Sequence, residues 1–183
     1  MRSCSVLWGH PIRLVLVTVL TLISGSSASA QVRETFRCTA PNGHYDHEML
    51  RIWDKTTVVT GRINVHKADR GTDWASSAKI AFTNSKDPDN GCHCNGVYVE
   101  AVPDKPYVDF FILFDGEAAV MTRRYYETAI TFRIAIDTTG LMTVRIGKDE
   151  PYFKTVKLAR PTRDSVLMSC SGMDVSFLNI DPQ

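Results

Sequence analysis

The sequence lacks an excess of charge of either sign, and it lacks long hydrophobic runs. Its 183 residues contain 21 lysines and arginines against 20 aspartates and glutamates, a formal net charge of +1. Since a nucleic-acid-binding protein usually shows a basic excess, this balance argues against a nucleic-acid partner. The longest apolar run, LVLVTVLTLI at positions 14–23, is about half the length that a membrane-spanning helix needs.

The sequence also lacks the short motifs that mark several large enzyme classes. It contains no G-x-S-x-G turn for a nucleophilic serine, no Walker loop and no dinucleotide-binding fingerprint. It contains no C-x-x-C pair, the spacing used by thiol redox sites and by common zinc sites. We therefore predict no cofactor and no metal. Enzymatic activity stays an open question, with these absences weighing against it.

What the sequence does have begins with an export signal. Arg2 and Arg13 precede or flank the apolar run, and a small-x-small sequence, A-S-A, ends at Ala30. This layout predicts a secretory signal peptide over residues 1–30 and a single mature domain over residues 31–183; a retained anchor is the alternative. We expect a periplasmic or secreted protein, of the kind found in bacterial envelopes, with no membrane span after cleavage.

An exported chain changes how its cysteines are interpreted. Cys38, Cys92, Cys94 and Cys170 follow the signal, an even number in an oxidising compartment. A bond between Cys92 and Cys94 is disfavoured, because the Cα atoms of residues two positions apart in an extended chain are separated by nearly the largest distance that a disulfide allows. We expect two structural disulfides, in which Cys38 and Cys170 each bond to one member of that pair.

Three other interpretations of the GCHCNG stretch, residues 91–96, stay open. Cys92, His93 and Cys94 are possible metal ligands, although the second ligand pair of a common zinc motif is absent. A redox site is the weaker of the chemical alternatives, since the spacing is C-x-C. The last alternative is one disulfide between Cys38 and Cys170, with the central pair unbonded.

The rest of the sequence is dominated by strand patterns. Residues 130–136, ITFRIAI, and residues 141–147, LMTVRIG, alternate between apolar and polar positions, and DTTG between them predicts a β-hairpin. VDFFILF, residues 108–114, is apolar at both parities and predicts a central strand. Further strands are predicted at positions 58–66, 79–83, 96–102, 153–158, 166–170 and 175–180. The pattern predicts an all-β antiparallel sandwich of the jelly-roll type.

Parts of the chain resemble concanavalin-like and laminin-G-like jelly-roll domains. The resemblance rests on residues 61–82, on the hairpin above and on the ending LMSCSGMDVSFLNI, residues 167–180, and it covers about two-thirds of the mature chain. It implies two packed antiparallel sheets with adjacent termini. Members of these families bind glycans or proteins, and some cleave polysaccharides. The dense E-x-D-x-x-E strand motif of the polysaccharide-cleaving members is absent here.

One candidate site lies in NGHYDHE, residues 42–48. In an extended conformation His44, Asp46 and Glu48 project from one face of the strand, and Tyr45 and His47 from the other. Two carboxylates so placed suit a glycosidic bond if their carboxyl groups come about 5–5.5 Å apart. The alternative is a solvated polar segment after a turn.

A second candidate site is the run RRYY, in which Arg123 and Arg124 precede Tyr125 and Tyr126. A tyrosine ring has a flat apolar face and a polar tip, which suits sugar rings or a protein partner. The alternative is an outer strand in which one tyrosine packs inward. Trp74 is expected to be a core anchor.

These patterns lead to one main functional prediction and two alternatives. The main prediction is an exported, non-catalytic binding module for a glycan or for an envelope or extracellular protein, with contacts from the RRYY residues. The first alternative is a glycan hydrolase or lyase that uses Asp46 and Glu48, with His44 in support. The second is a structural or inhibitory envelope protein.

Overall fold

A computed structural model describes residues 33–52, 56–69, 75–84, 94–126, 128–149, 151–159 and 164–183. The span Val32–Gln183 forms one compact unit. The predicted signal peptide, Trp74, Cys92 and His93 lie outside the described residues. Along the described ranges, no helix has the length and hydrophobicity needed to cross a bilayer.

The described residues form twelve β-strands. In chain order they are β1 (Glu34–Ala40), β2 (Asp46–Arg51), β3 (Val58–Ala68), β4 (Ser77–Thr83), β5 (Asn95–Ala101), β6 (Tyr107–Phe114), β7 (Glu117–Tyr125), β8 (Ile130–Ile136), β9 (Leu141–Ile146), β10 (Tyr152–Lys157), β11 (Ser165–Ser171) and β12 (Met173–Pro182).

The strands form two six-stranded antiparallel sheets, which confirms the predicted sandwich. The first sheet has the order β1-β12-β3-β8-β9-β10, and the second has the order β2-β11-β4-β5-β6-β7. The first and last strands of the chain are hydrogen-bonded neighbours, so the termini of the domain are adjacent, as the jelly-roll resemblance implies.

The two sheets pack through the inward half of each alternating pattern. In β8, Ile130, Phe132, Ile134 and Ile136 are all buried in the shared core, as the sequence predicted. The largest fully buried side chains come from both sheets and include Phe82, Phe110 and Phe177. Burying one such side chain stabilises the fold by about 1.5–3 kcal/mol, so this shared core is the main source of stability.

The strand predictions match the structure closely where the alternation is regular. The hairpin of β8 and β9 forms as predicted. β6 is flanked by strands on both sides, but it lies one strand from the edge, and Phe111 and Leu113 on its second face are only half-buried. β7 was not predicted as a strand, because a bulge opposite Phe110 and Phe111 interrupts its alternation near Met121.

The disulfide pairing predicted from the sequence is wrong. Cys38 bonds to Cys170, with a Cα–Cα distance of 5.9 Å, so neither bonds to Cys92 or Cys94. The bond joins β1 of the first sheet to β11 of the second and lies in the core between them. Cys94 is itself buried, with its sulfur 3.8 Å from the Thr83 hydroxyl. The single bond between Cys38 and Cys170 was one of the open alternatives.

Gly172 carries the chain from the second sheet to the first. It is the one residue between β11 and β12, and its φ is +62°, in the left-handed region that favours glycine. A Cβ at this position would lie 2.7 Å from the Ser76 hydroxyl oxygen. The sharp passage next to Cys170 therefore depends on the absence of a side chain.

Asp137 closes the turn between β8 and β9. Its Oδ1 accepts hydrogen bonds from the Thr139 backbone N–H at 2.8 Å, from the Thr139 hydroxyl at 2.7 Å and from the Leu141 N–H at 2.9 Å. The Thr139 hydroxyl bond, followed by the Leu141 backbone bond, lowers the pKa of Asp137 below its ordinary value.

Replacing both disulfide cysteines should destabilise the sandwich without changing its topology. We expect Cys38→Ala with Cys170→Ala to lower the free energy of unfolding by about 2–5 kcal/mol, because the bond closes a loop with a sequence separation of 132 residues. Urea denaturation monitored by circular dichroism measures this. Wild-type protein under reducing conditions is the control and should behave like the double variant; an unchanged midpoint in both would contradict the prediction.

Asp137→Ala should lower the melting temperature by a few degrees at neutral pH. Because the folded-state pKa is lowered, the carboxylate contributes stability above its unfolded pKa and loses it as the pH falls through the folded pKa. The difference between variant and wild type should therefore shrink in acid. Thermal melts across an acidic pH series test this, and a difference that stays constant into strong acid would contradict it.

Candidate functional site

Side chains of the second sheet form cross-strand rows on its outer face, the surface turned away from the first sheet. These rows are exposed at the edge strands β2 and β7 and buried on β11 at Ser169. Cross-strand registry places one residue from each strand in a row. Side chains alternate between the two faces of a strand. Since β5 buries Val97 and β6 buries Phe110, the residues on either side of these two point to the outer face. One row runs across the whole sheet and consists of His47, Ser169, Lys79, Tyr98, Phe111 and Val120.

Four aromatic residues on this face form two cross-strand pairs. The Tyr98 and Phe111 ring centroids are 5.7 Å apart with planes inclined by 58°. The Tyr107 and Tyr125 centroids are 4.2 Å apart and inclined by 60°, and Tyr125 is 50% exposed. Such tilted pairs hold each other in place while leaving ring surface accessible. We call Tyr98, Phe111, Tyr107 and Tyr125 the aromatic platform.

An ion pair lies in the row between the two aromatic pairs. Arg123 donates two hydrogen bonds to Asp109, from Nε to Oδ1 at 2.7 Å and from Nη2 to Oδ2 at 2.8 Å. Glu100 on β5 is the direct cross-strand partner of Asp109. The hydrogen bonds from Arg123 hold the pKa of Asp109 below its ordinary value and raise that of Arg123. A fixed pair of opposite charges thus lies between apolar rings.

A groove of about 270 Å³ adjoins the platform on the same face. Tyr45 forms one wall and stacks on His47, with ring centroids 5.5 Å apart and planes inclined by 25°. The volume is close to the lower end of the range for small-ligand sites. The other residues that line the groove are Ser77, Ala78, Lys79, Tyr98, Leu113, Ala118, Ser169, Cys170 and Ser171.

The RRYY residues divide between two sides of the edge strand β7. Arg123 and Tyr125 lie on the outer face, beside Asp109 and Tyr107. Arg124 is opposite the buried Val108, and Tyr126 packs against the core between the sheets. Arg124 donates to the backbone oxygen of Arg123 at 3.2 Å. The structure therefore brings Arg123 and Tyr125 to the outer face and directs Arg124 and Tyr126 to other surroundings.

The NGHYDHE segment leads into the edge strand β2. Asp46 and Glu48 share their parity with Leu50, which packs against the core, while His47 has the opposite parity. His44 lies in the preceding turn and donates its backbone N–H to Pro41 O at 3.0 Å. Asp46 accepts the His47 backbone N–H at 2.9 Å.

The described residues contain no group of three or more histidine, cysteine, aspartate or glutamate side chains able to hold a metal ion. Asp46 and Glu48 are both exposed. Their predicted role in glycan cleavage stays a prediction.

The candidate ligand residues predicted from the sequence did not include Tyr98, Tyr107, Phe111 and Lys79. A signal was present in β5 and β6, where aromatic residues occupy the parity opposite to that of the core. In VDFFILF that second apolar face was interpreted as evidence of a central, doubly buried strand. On the outer face of the second sheet, Ala81 and Leu167 are buried in a small cluster with Cys94, but the part formed by β5 and β6 around Tyr98 and Phe111 is only half-buried, so there the same pattern produces a partly exposed aromatic surface.

Comparison with known proteins identifies the fold alone. No protein-family model and no curated protein matches the chain. Among solved structures, the Scytalido-glutamic peptidase is similar at 10% identity and a TM-score of 0.50, over 75% of this chain and 74% of that one. The carbohydrate binding module CBM66 from Bacillus subtilis has 10% identity and a TM-score of 0.48, over 81% of this chain and 88% of that one. Galectin LEC-6 from Caenorhabditis elegans has 11% identity and a TM-score of 0.43, over 79% and 95%.

The ion pair on the outer face can be tested by titration. We expect the Asp109 carboxyl to titrate below its ordinary pKa in the wild type and to move upward in Arg123→Gln, because the two charge-assisted bonds are lost. Carboxyl chemical shifts measured by NMR across an acid series report this. Asp174, whose pKa is lowered by Arg37, is the internal control and should not move; an unchanged Asp109 titration would contradict the assignment.

Proposed function

We propose that this chain is an exported glycan-binding module and that sugar rings bind to the outer face of the second sheet. The observation that carries the proposal is the aromatic platform, in which two ring pairs flank the ion pair of Asp109 and Arg123. The disulfide between Cys38 and Cys170 supports export, because such bonds persist mainly in oxidising compartments.

The chemistry of the platform matches the two surfaces of a sugar. The C–H face of a pyranose is apolar and packs on a flat ring, and the rings of Tyr98 and Tyr125 offer such faces. Sugar hydroxyls both donate and accept, and Asp109 and Arg123 supply an acceptor and donors at a fixed position. The ion pair holds both groups in place, so less side-chain freedom is lost when a sugar binds.

The second candidate is a protein ligand from the envelope or the extracellular medium. Val120 belongs to the same face, is 61% exposed and lies on the edge strand β7. Protein interfaces are enriched in tyrosine and arginine, and an exposed aliphatic residue beside them is favourable for such a contact. A protein ligand would need Val120, whereas a sugar would depend mainly on the rings.

Removing two rings of the platform should abolish most glycan binding. An immobilised glycan panel first identifies the glycans that retain the wild type. We expect Tyr98→Ala with Tyr125→Ala to weaken binding to these glycans at least tenfold. The loss corresponds to about 1.4 kcal/mol or more. Calorimetry with the best-retained glycan measures it, and thermal melts show whether the fold persists.

Tyr152→Ala is the matched control. Tyr152 is 44% exposed but belongs to β10 of the first sheet and to neither proposed site, so its removal should leave affinity for the same glycan within twofold. Retained affinity in the platform variant would overturn the proposal. The second candidate would be favoured if the wild type bound no glycan of the panel and if Val120→Asp abolished its binding to a protein ligand.

A further inference from the structure

Three arginines form a compact cluster on the outer face of the first sheet, opposite the face just described. Arg133 on β8 and Arg145 on β9 are directly opposite each other in the ladder, and both are exposed. Arg62 on β3 is diagonal to Arg133, since Thr60 is the direct partner of Arg133. Direct partners have Cβ atoms about 4.5–5.5 Å apart and diagonal ones about 7–8 Å.

The positive charge of this cluster is not neutralised within the described part of the chain. Arg37 and Arg123 each bond to an aspartate, but no ion pair is formed there by Arg62, Arg133 or Arg145. The acidic residues of the same rows have other partners. Asp181 lies on β12, the strand next to that of Arg62 and two strands from Arg133, and Glu34 lies two strands from Arg62. Asp181 accepts from Gln183, and Glu34 accepts from the Ser176 hydroxyl.

Such an arrangement is unfavourable for the isolated domain. Like charges directly opposite each other on neighbouring strands destabilise a sheet. The hydroxyl oxygen of Thr131, opposite Arg62, is shielded from solvent and has no hydrogen-bond partner among the described residues. An unsatisfied buried oxygen adds to the cost. The repulsion between the arginines is offset if an anionic ligand binds here.

The surroundings of the cluster are hydroxyl-rich and end at an aromatic ring. Thr143 and Thr155 lie on the same face, with their hydroxyl oxygens 3.1 Å apart. Phe153 is the direct partner of Arg145 on the edge strand β10 and is largely exposed. Guanidinium groups, hydroxyls and one open ring therefore occur together on a surface four strands wide.

We propose that Arg62, Arg133 and Arg145 bind a uronate-bearing polysaccharide. Guanidinium groups bind carboxylates in a bidentate manner, and Phe153 provides a face for a neighbouring sugar ring. The near-neutral charge of the chain disfavours nucleic acid, and the threonine-lined surface suits a hydroxylated polymer better than a lipid bilayer. This site is separate from the aromatic platform, so the module presents two sheet faces to two chemically different glycans.

The experiment compares binding to polygalacturonate with binding to neutral dextran by affinity electrophoresis and calorimetry. Arg133→Gln with Arg145→Gln should weaken polygalacturonate binding at least tenfold and should reduce its dependence on salt concentration. Arg33→Gln with Arg51→Gln is the charge-matched control, because both residues are exposed, Arg33 precedes the edge strand β1, and Arg51 ends β2 of the second sheet. It should bind within twofold of the wild type. Neither variant should lower the melting temperature, and the cluster variant should raise it slightly, because the repulsion between Arg133 and Arg145 is removed.

Three outcomes would overturn the proposal. In the first, the wild type does not bind polygalacturonate, and in the second, both arginine variants lose polygalacturonate binding equally. In the third, Arg133→Gln with Arg145→Gln loses binding only to phosphatidylglycerol vesicles, which would assign the cluster to a membrane surface. The variant Tyr98→Ala with Tyr125→Ala separates this proposal from the previous one. It should retain polygalacturonate binding, and loss of that binding would assign the polymer to the aromatic platform instead.

Discussion

The packing of two six-stranded sheets through one apolar interior is the constraint on which the remaining structure depends. Phe110 from the second sheet and Phe177 from the first are both fully buried in that interior. Hydrophobic burial is not directional, so it holds the sheets together without locking their positions. The bond between Cys38 and Cys170 adds a covalent link between them, next to the corner at Gly172 where the chain changes sheet.

The two outer faces are consequences of the same alternation that builds the core. Once Val97 and Val99 of β5 point inward, Tyr98 must point outward, and the same holds for Arg133 between Ile134 and Phe132 of β8. The composition of the outer parity differs between the sheets. It is aromatic on the second sheet and basic with threonines on the first, so one sandwich presents two surfaces with different chemistry.

The contrast between the arginines shows how an ion pair changes what a surface can bind. Arg123 is held by Asp109, so it acts as an oriented group between rings and adds little net charge. Arg133 and Arg145 have no such partner in the described residues, and their charge stays available to a ligand. Identical side chains on the two sheets therefore support proposals of different kinds, and fold similarity alone does not choose between them.

Local sequence determined the features that depend on period two. The inward residues of β8, the hairpin at Asp137 and the sandwich class followed from alternation, because a half-buried strand needs one apolar parity. Tertiary structure alone decided which distant positions meet. It paired Cys38 with Cys170, placed Arg123 opposite Asp109 and aligned Tyr98 with Phe111. The physical reason is that alternation sets the side to which a residue points, whereas strand order and register, set by packing of the whole chain, choose its neighbours.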